Sequence, residues 1–473
     1  MVLKDDPLFR ITVPSKTQSS LAAGRPILMA VEGEAARSVE QSPAGELMPE
    51  LAAIAIEGPK GVGKSATAER RAKTVIRLDV KADQESLVAY PERLERDPTP
   101  ILLDEWQRMP SSWDLVRRRV DTDRTGGQFL LTGSAAPPDG PMRSGAGRIV
   151  RLRMRPMSLV ERRDDVHPTV SLQALLAGSR VPLEGSSTLT VTDYTEEIVA
   201  SGLPGIRGLG ERSRAVQLDG YLERIVDVEF AGLGHRIRRP ASLRGWLGAY
   251  AAATSTTMNY NTILDSAAAG LPDKPAKTTT MIYRDVLERL WMLEPVPCWL
   301  PTWNHSVRLA QSPKHQLADP AFAAHLLGAT VSGLLSNQVG AVGRSSGASH
   351  QLVRDGLLLG ALFESFVTQT VRSYAQRSLA RVHHLRTARG DHEVDLIVEG
   401  RDRRVLAIET KLSPTVDDSD VRHLHWLRKT GGDLIADAIV VKQVSTHIVV
   451  VMASGWSLRR SSAPRSCLGV AHT

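Results

Sequence analysis

The eight residues Gly58-Pro59-Lys60-Gly61-Val62-Gly63-Lys64-Ser65 constrain this chain more than any other segment. They follow the apolar run AAIAIE and open the stretch SATAERRAK, so the local order reads strand, glycine-rich turn, helix. The glycines let the backbone wrap a phosphate chain with its N–H groups, and the helix N-terminus adds partial positive charge at the same point. The spacing G-x-x-x-x-G-K-[ST] is that of a phosphate-binding loop. In such a loop Lys64 reaches the β and γ phosphates and the Ser65 hydroxyl ligates magnesium, while Gly58 through Ala66 line the nucleotide. The plainer alternative, a glycine turn with no ligand, is disfavoured by the strand and helix on either side.

From residue 51 the runs AAIAIEG, TVIRLDV, ILLDE, QFLLTGS and IVRLRM alternate with helix-like polar segments, the signature of a parallel sheet covered by helices. Ile101-Leu-Leu-Asp104-Glu105 ends in two acids. Behind a phosphate-binding loop, Asp104 is placed to hold magnesium through water and Glu105 to act as general base on an attacking water, although a solvated strand end would look the same in isolation. If the strand Gln128-Phe-Leu-Leu-Thr-Gly-Ser134 lies between the other two, Thr132 or Ser134 faces the terminal phosphate. Arg148, in SGAGR, is a candidate cation for the transition-state charge, in cis or from a neighbouring subunit. An ordinary surface arginine is the competing reading there.

With 473 residues, one hydrophobic core does not suffice, and several units are expected. No apolar run is long enough for a membrane span and the charged N-terminus carries no secretory h-region, so the expectation is a cytoplasmic protein without a membrane partner. Two cysteines, Cys298 and Cys467, imply neither a disulfide framework nor a zinc knuckle. The net charge of +7 is weak support for nucleic acid, because the arginines are spread along the chain.

The later chain holds a second constellation. Asp395 lies in the strand EVDLIV, and Glu409-Thr410-Lys411 ends the strand VLAIETK. Glu409 and Lys411 point to one face by strand alternation, and a hairpin brings Asp395 beside them. This D…E-x-K pattern resembles that of PD-(D/E)XK nucleases, in which carboxylates hold magnesium and the lysine positions a water or neutralises charge at phosphorus. Glu364, on the long helix GLLLGALFESFVTQTVRSYA, shares a face with Leu357, Ala361 and Val371, so its carboxylate points inward and needs a metal or Lys411 as partner. Alternating strands also pair Glu with Lys for no catalytic reason.

The pieces GPKGVGKS, ILLDE, FLLTGSA, SGAGR and PMSLVE, with SGLPG, YLERIVDVEF and SPKHQLADP further on, resemble the bacterial and archaeal AAA-type P-loop ATPases that carry a C-terminal domain of unknown function. That resemblance, over about residues 50 to 455, implies ATP and Mg2+ as ligands, a helical middle and a nuclease-like end. The expected architecture is α/β. It comprises an irregular segment (1–48), a P-loop AAA-like parallel sheet core (49–155), a helical lid or linker (156–215), a helical domain with winged-helix patterning (216–345), a C-terminal α/β PD-(D/E)XK nuclease-like domain (350–456) and a tail (457–473). The expected activity is ATP hydrolysis, with a C-terminal domain that binds or cleaves nucleic acid, DNA ahead of RNA, and with Asp395, Glu409 and Lys411 as its catalytic set and Glu364 as a further ligand. The rival is an ATP-dependent regulatory switch whose C-terminal domain is a catalytically inactive protein-binding module; a homo-oligomer or a protein partner is expected under either reading. No N-K-x-D guanine motif is present, which argues against a GTPase.

Overall fold

The computed structural model describes residues 50–134, 146–163, 166, 170–178, 189–269, 274–302, 311–336, 355–387, 389–412, 417–443 and 448–452. The N-terminal segment, the glycine- and serine-rich stretch 337–350 and the C-terminal tail lie outside them.

Two sheets are joined by a helical region. The first holds β1 (Ala53–Glu57), β2 (Thr74–Arg77), β3 (Ile101–Asp104), β4 (Phe129–Gly133) and β5 (Ile149–Arg153), all parallel, in the order β2-β3-β4-β1-β5. Period-two alternation gives each face its own core. Ala53, Ala55, Leu103 and Leu131 pack on Trp113, Val116 and Val120 of α3 (Ser111–Thr122) and on Leu87 of α2 (Lys81–Ala89). Ile54, Ile56, Leu102 and Leu130 pack on Ala68 of α1 (Lys64–Glu69). Because β4 separates β1 from β3, the loops after all three converge at one end of the sheet, the usual ligand side of such a sheet.

The middle is helical, with α4 (Val191–Ala200), α5 (Glu211–Arg224), a π-helical turn at Ile225–Glu229, α6 (Pro240–Ala252), α7 (Tyr260–Ala268), α8 (Lys277–Arg289) and α9 (Pro320–Leu326). After α8, two isolated antiparallel bridges, Leu293↔Leu317 and Val296↔Lys314, take the place of longer wing strands. Its core is not separate. One continuous cluster runs from Val62 in the glycine-rich loop through Tyr194, Leu222, Trp246 and Phe322 to Leu362 and Phe366 on α10 (Asp355–Arg377).

The second sheet holds β6 (Arg381–Arg386), β7 (Glu393–Glu399), β8 (Val405–Lys411), β9 (Ile435–Gln443) and β10 (Ile448–Met452) in order β10-β9-β8-β7-β6. It is mixed, since β8 and β9 run parallel and the other pairs antiparallel. The parallel step needs a crossover, supplied by α11 (Asp418–Gly431), which covers one face through Val421, Leu424 and Leu427. Helix α10 covers the other face through Val371 and Ala375.

Candidate functional sites at the ends of the two sheets

The glycine-rich loop leaves β1 with Gly58 so close to β5 that a Cβ there would lie 2.1 Å from the Met154 carbonyl oxygen. Only glycine allows that approach. Gly63, with φ 100, turns the chain into α1. The Lys64 ammonium folds back to donate to the carbonyls of Gly58 (2.9 Å) and Pro59 (2.8 Å). Burial pushes Lys64 down to about 8, against the raising influence of Glu105 and Asp104. The Ser65 hydroxyl donates to Asp104 Oδ1 at 2.6 Å, and the buried Thr132 hydroxyl donates to the same oxygen. Residues from α1, β3 and β4 thus meet at one end of the sheet.

Glu105 sits just past β3 in the left-handed region, φ 54, an unfavourable place for a non-glycine residue and a recurrent one at functional sites. Its Oε2 accepts from Gln107 Nε2 at 2.5 Å, and the same amide lies 3.3 Å from Ser134 Oγ. Gln107 therefore links the two residues singled out in the sequence. It was not anticipated there, because no spacing rule marks it.

The other side of this site comes from the helical region. Lys60 Nζ pairs with Glu229 Oε1 at 2.6 Å, and the Tyr221 hydroxyl donates to the Lys60 carbonyl at 3.2 Å. Arg224 Nε donates to the same Glu229 oxygen at 3.2 Å. Arg224 thus reaches Lys60 of the loop only through Glu229. The expectation for Arg148 in cis needs correction, since Arg148 precedes β5 and so stands at the opposite end of the sheet, where its Nε donates to Asp121 Oδ1 at 2.5 Å. Parallel strands place the start of β5 a full strand length, roughly 15 Å, from the loop that follows β1.

In the second sheet the register Leu396↔Ile408 brings Asp395 and Glu409 to one end, as the hairpin reading requires. Asp395 Oδ2 accepts from the Thr410 N–H at 2.9 Å and hydroxyl at 2.8 Å. Glu409 Oε1 pairs with Lys411 at 3.1 Å, while its buried Oε2 has no hydrogen-bond partner.

Glu364 reaches this cluster from α10, but its side-chain partner is not Lys411. It is Lys314, whose ammonium lies 2.8 Å from Glu364 Oε1, 3.2 Å from Asp395 Oδ1 and 3.6 Å from Glu393 Oε1. The Lys314 side chain is 1% exposed. One ammonium cannot neutralise every carboxylate around it. Glu364 and Glu409 are each pushed up to about 8, first by burial and then by the charge on Asp395. Asp395 is held below its ordinary value, because Lys314 and the Thr410 donors outweigh its burial. Among the described residues no group of three or more His, Cys, Asp or Glu is arranged to hold a metal ion.

Comparison with known proteins agrees with the first sheet. Residues 51–162 match the model of an AAA domain (AAA_14), which supports an ATPase-like P-loop domain there. Residues 191–332 and 359–451 match two domains of unknown function, DUF8612 and DUF4143. Among solved structures, a Walker-type ATPase of Pyrococcus abyssi aligns at 16% identity and TM-score 0.33, over 59% of this chain and 93% of that one. No curated protein matches. Among the described residues no helix is long and apolar enough to cross a membrane.

Proposed function

We propose that the chain binds and hydrolyses ATP at the end of the first sheet, and that its C-terminal domain is a nuclease-like module whose ligand is nucleic acid. The observation that carries the first part is the meeting of Ser65, Asp104 and Glu105 beside the glycine-rich loop, with Ser65 Oγ 2.6 Å from Asp104 Oδ1. The Ser65 hydroxyl and the Asp104 carboxylate fit a magnesium ion, which when bound neutralises charge on the phosphates. Lys64 leaves its two carbonyls and turns its ammonium to the β and γ phosphates. Glu105 accepts the proton of the attacking water, with Gln107 and Ser134 fixing its carboxylate. MgATP is expected to bind the wild type and not Lys64→Ala in an equilibrium titration. Equal affinity in both would remove the loop from the binding site.

The second part rests on Asp395, Glu409 and Lys411 converging on an α10-β6-β7-β8-α11-β9 unit with Glu364 facing them. One observation favours the rival, in which the C-terminal domain is an inactive module within an ATP-driven switch. An internal ammonium already sits among the carboxylates. Labelled single-stranded, double-stranded and branched DNA and RNA, incubated with and without ATP and magnesium, separate the readings. Cleavage, or binding without it, supports the first, and no binding supports the rival.

A further inference from the structure

β6 is an edge strand, and the helical region covers part of that edge. A parallel bridge, Cys298↔His384, joins them: the Trp299 N–H donates to the His384 carbonyl at 2.7 Å and the His384 N–H to the Pro297 carbonyl at 3.0 Å. Among the described residues no bridge covers the edge ahead of His384. There Arg381 and His383 open onto a cavity of about 820 Å³, bounded by Pro297 and Pro313 of the helical region and by the turn that joins β7 to β8. A space of this size is within the usual range of ligand pockets.

Its rim is cationic. Arg381 stands at the start of β6, Arg401 and Arg403 stand in the turn, and all three are exposed. Among the described residues the side chains of Arg381 and Arg401 make no hydrogen bond or ion pair. Glu399 faces Arg381 across the strands, but its carboxylate is held by others: Trp299 Nε1 donates to Oε1 at 3.4 Å, and His383 Nε2 lies 3.5 Å from Oε2.

Arg403 gives an independent indication. The turn closes through the Arg403 N–H to the Gly400 carbonyl at 3.1 Å and the Gly400 N–H to the Arg404 carbonyl at 2.9 Å, with Arg403 in the left-handed region at φ 66. Glycine is the residue suited to that position of a short hairpin loop, and a turn built for the fold alone would carry it. Non-glycine residues held in such backbone states recur at functional sites. What the side chain adds here is a third guanidinium on the cavity.

Guanidinium forks match phosphate oxygens in shape as well as charge. The exposed rim leaves the cavity open to solvent, and Pro297, Pro313 and Leu379 give it an apolar wall, so it suits an extended chain with successive phosphates better than a compact anion. The other end of the sheet does not. Glu364, Glu393 and Asp395 surround the single ammonium of Lys314 there, and Glu393 stands roughly 20 Å along β7 from Glu399 at the ordinary rise of a strand. We infer that the phosphodiester backbone of a nucleic-acid strand lies across Arg381, Arg401 and Arg403 at the uncovered start of β6. The inference rests on the nucleic-acid reading of the C-terminal domain and places the contact away from its acids.

The test titrates the full chain, without nucleotide, against a labelled single-stranded oligonucleotide and its duplex by fluorescence anisotropy over a range of salt. The melting temperature of each protein is read alongside. The wild type is expected to bind. Arg381→Gln/Arg401→Gln/Arg403→Gly should bind more weakly, and its plot of log affinity against log salt should be flatter by about two to three, at about 0.7 to 0.9 per phosphate contact. Arg403→Gly alone should flatten the plot by one such step while melting no lower than the wild type, because glycine fits the turn. If the triple variant does not fold, Arg403→Gly carries the test. Arg96→Gln/Arg118→Gln/Arg124→Gln removes the same charge from exposed positions of the first domain and should change neither affinity nor slope. Wild-type affinity and slope in the folded cavity variants would overturn the inference while keeping the nucleic-acid reading. An equal loss in the first-domain variant would also overturn it, since net charge alone would then explain binding. No binding of either oligonucleotide by the wild type would remove the reading and the inference together.

Discussion

Asp104 Oδ1 accepts from two hydroxyls, Ser65 and Thr132, and those two bonds fix where its carboxylate stands. Thr132→Val removes the buried donor and keeps the shape, so the domain should lose about 1–3 kcal/mol, read as a drop in melting temperature. Lys64 gives a pH signature. Its folded value of about 8 lies below the ordinary lysine value of 10.5, so a neutral fraction appears as pH rises through 8. Phosphate needs the ammonium. ATP binding should therefore take up a proton at pH 8.5 to 9 and none near pH 6.5, measured by calorimetry in buffers of different ionisation enthalpy. Residues such as Lys64, Ser65, Asp104 and Glu105 were legible in the sequence because their chemistry is written in contiguous runs. Gln107 and Lys314 were not. Lys314 lies 50 and 81 residues from its partners Glu364 and Asp395, and no local pattern announces a contact across such distances.

At the scale of elements, the alternation of apolar runs foretold both the parallel sheet and the hairpin that joins Asp395 to Glu409. It could not order the strands. The in-cis role of Arg148 failed for that reason, since a residue ahead of β5 belongs to the far end of the sheet however close in sequence it stands to β4. The helical middle was legible as helices, but its attachments were not, because they rest on contacts between residues far apart in sequence, single buried charges among them. Glu294, just after α8, accepts from Arg155 of the first domain at 2.7 Å and lies 3.5 Å from Arg372 of α10 and 3.4 Å from Arg153. Burial alone would raise its carboxyl, yet Arg372, Arg155 and Arg153 hold it far below the ordinary range. A carboxylate with a depressed value stabilises the fold above its unfolded value and loses that only as pH falls through the folded one. This junction should thus persist into acid. Glu294→Ala, which leaves three guanidiniums without their shared partner, should destabilise the protein by about 3–5 kcal/mol in denaturant titration.

At the scale of the whole molecule, one of the core clusters begins in the glycine-rich loop at Val62 and ends on α10, the helix that carries Glu364. The loop is therefore held from two sides, by its own sheet and by Glu229 gripping Lys60. Glu229→Ala frees that ammonium beside the phosphates and removes a competing carboxylate, so ATP should bind more tightly, by up to about tenfold, or roughly 1.4 kcal/mol. An unchanged affinity would place Lys60 outside the phosphate field. The account stands or falls on hydrolysis at this loop, and single-turnover phosphate release from MgATP measures it most directly. Glu105→Gln should retain nucleotide while releasing phosphate about 10²- to 10⁴-fold more slowly than the wild type, the usual span for loss of a general base. Equal rates in the two proteins, or no release by the wild type with ATP bound, would contradict it.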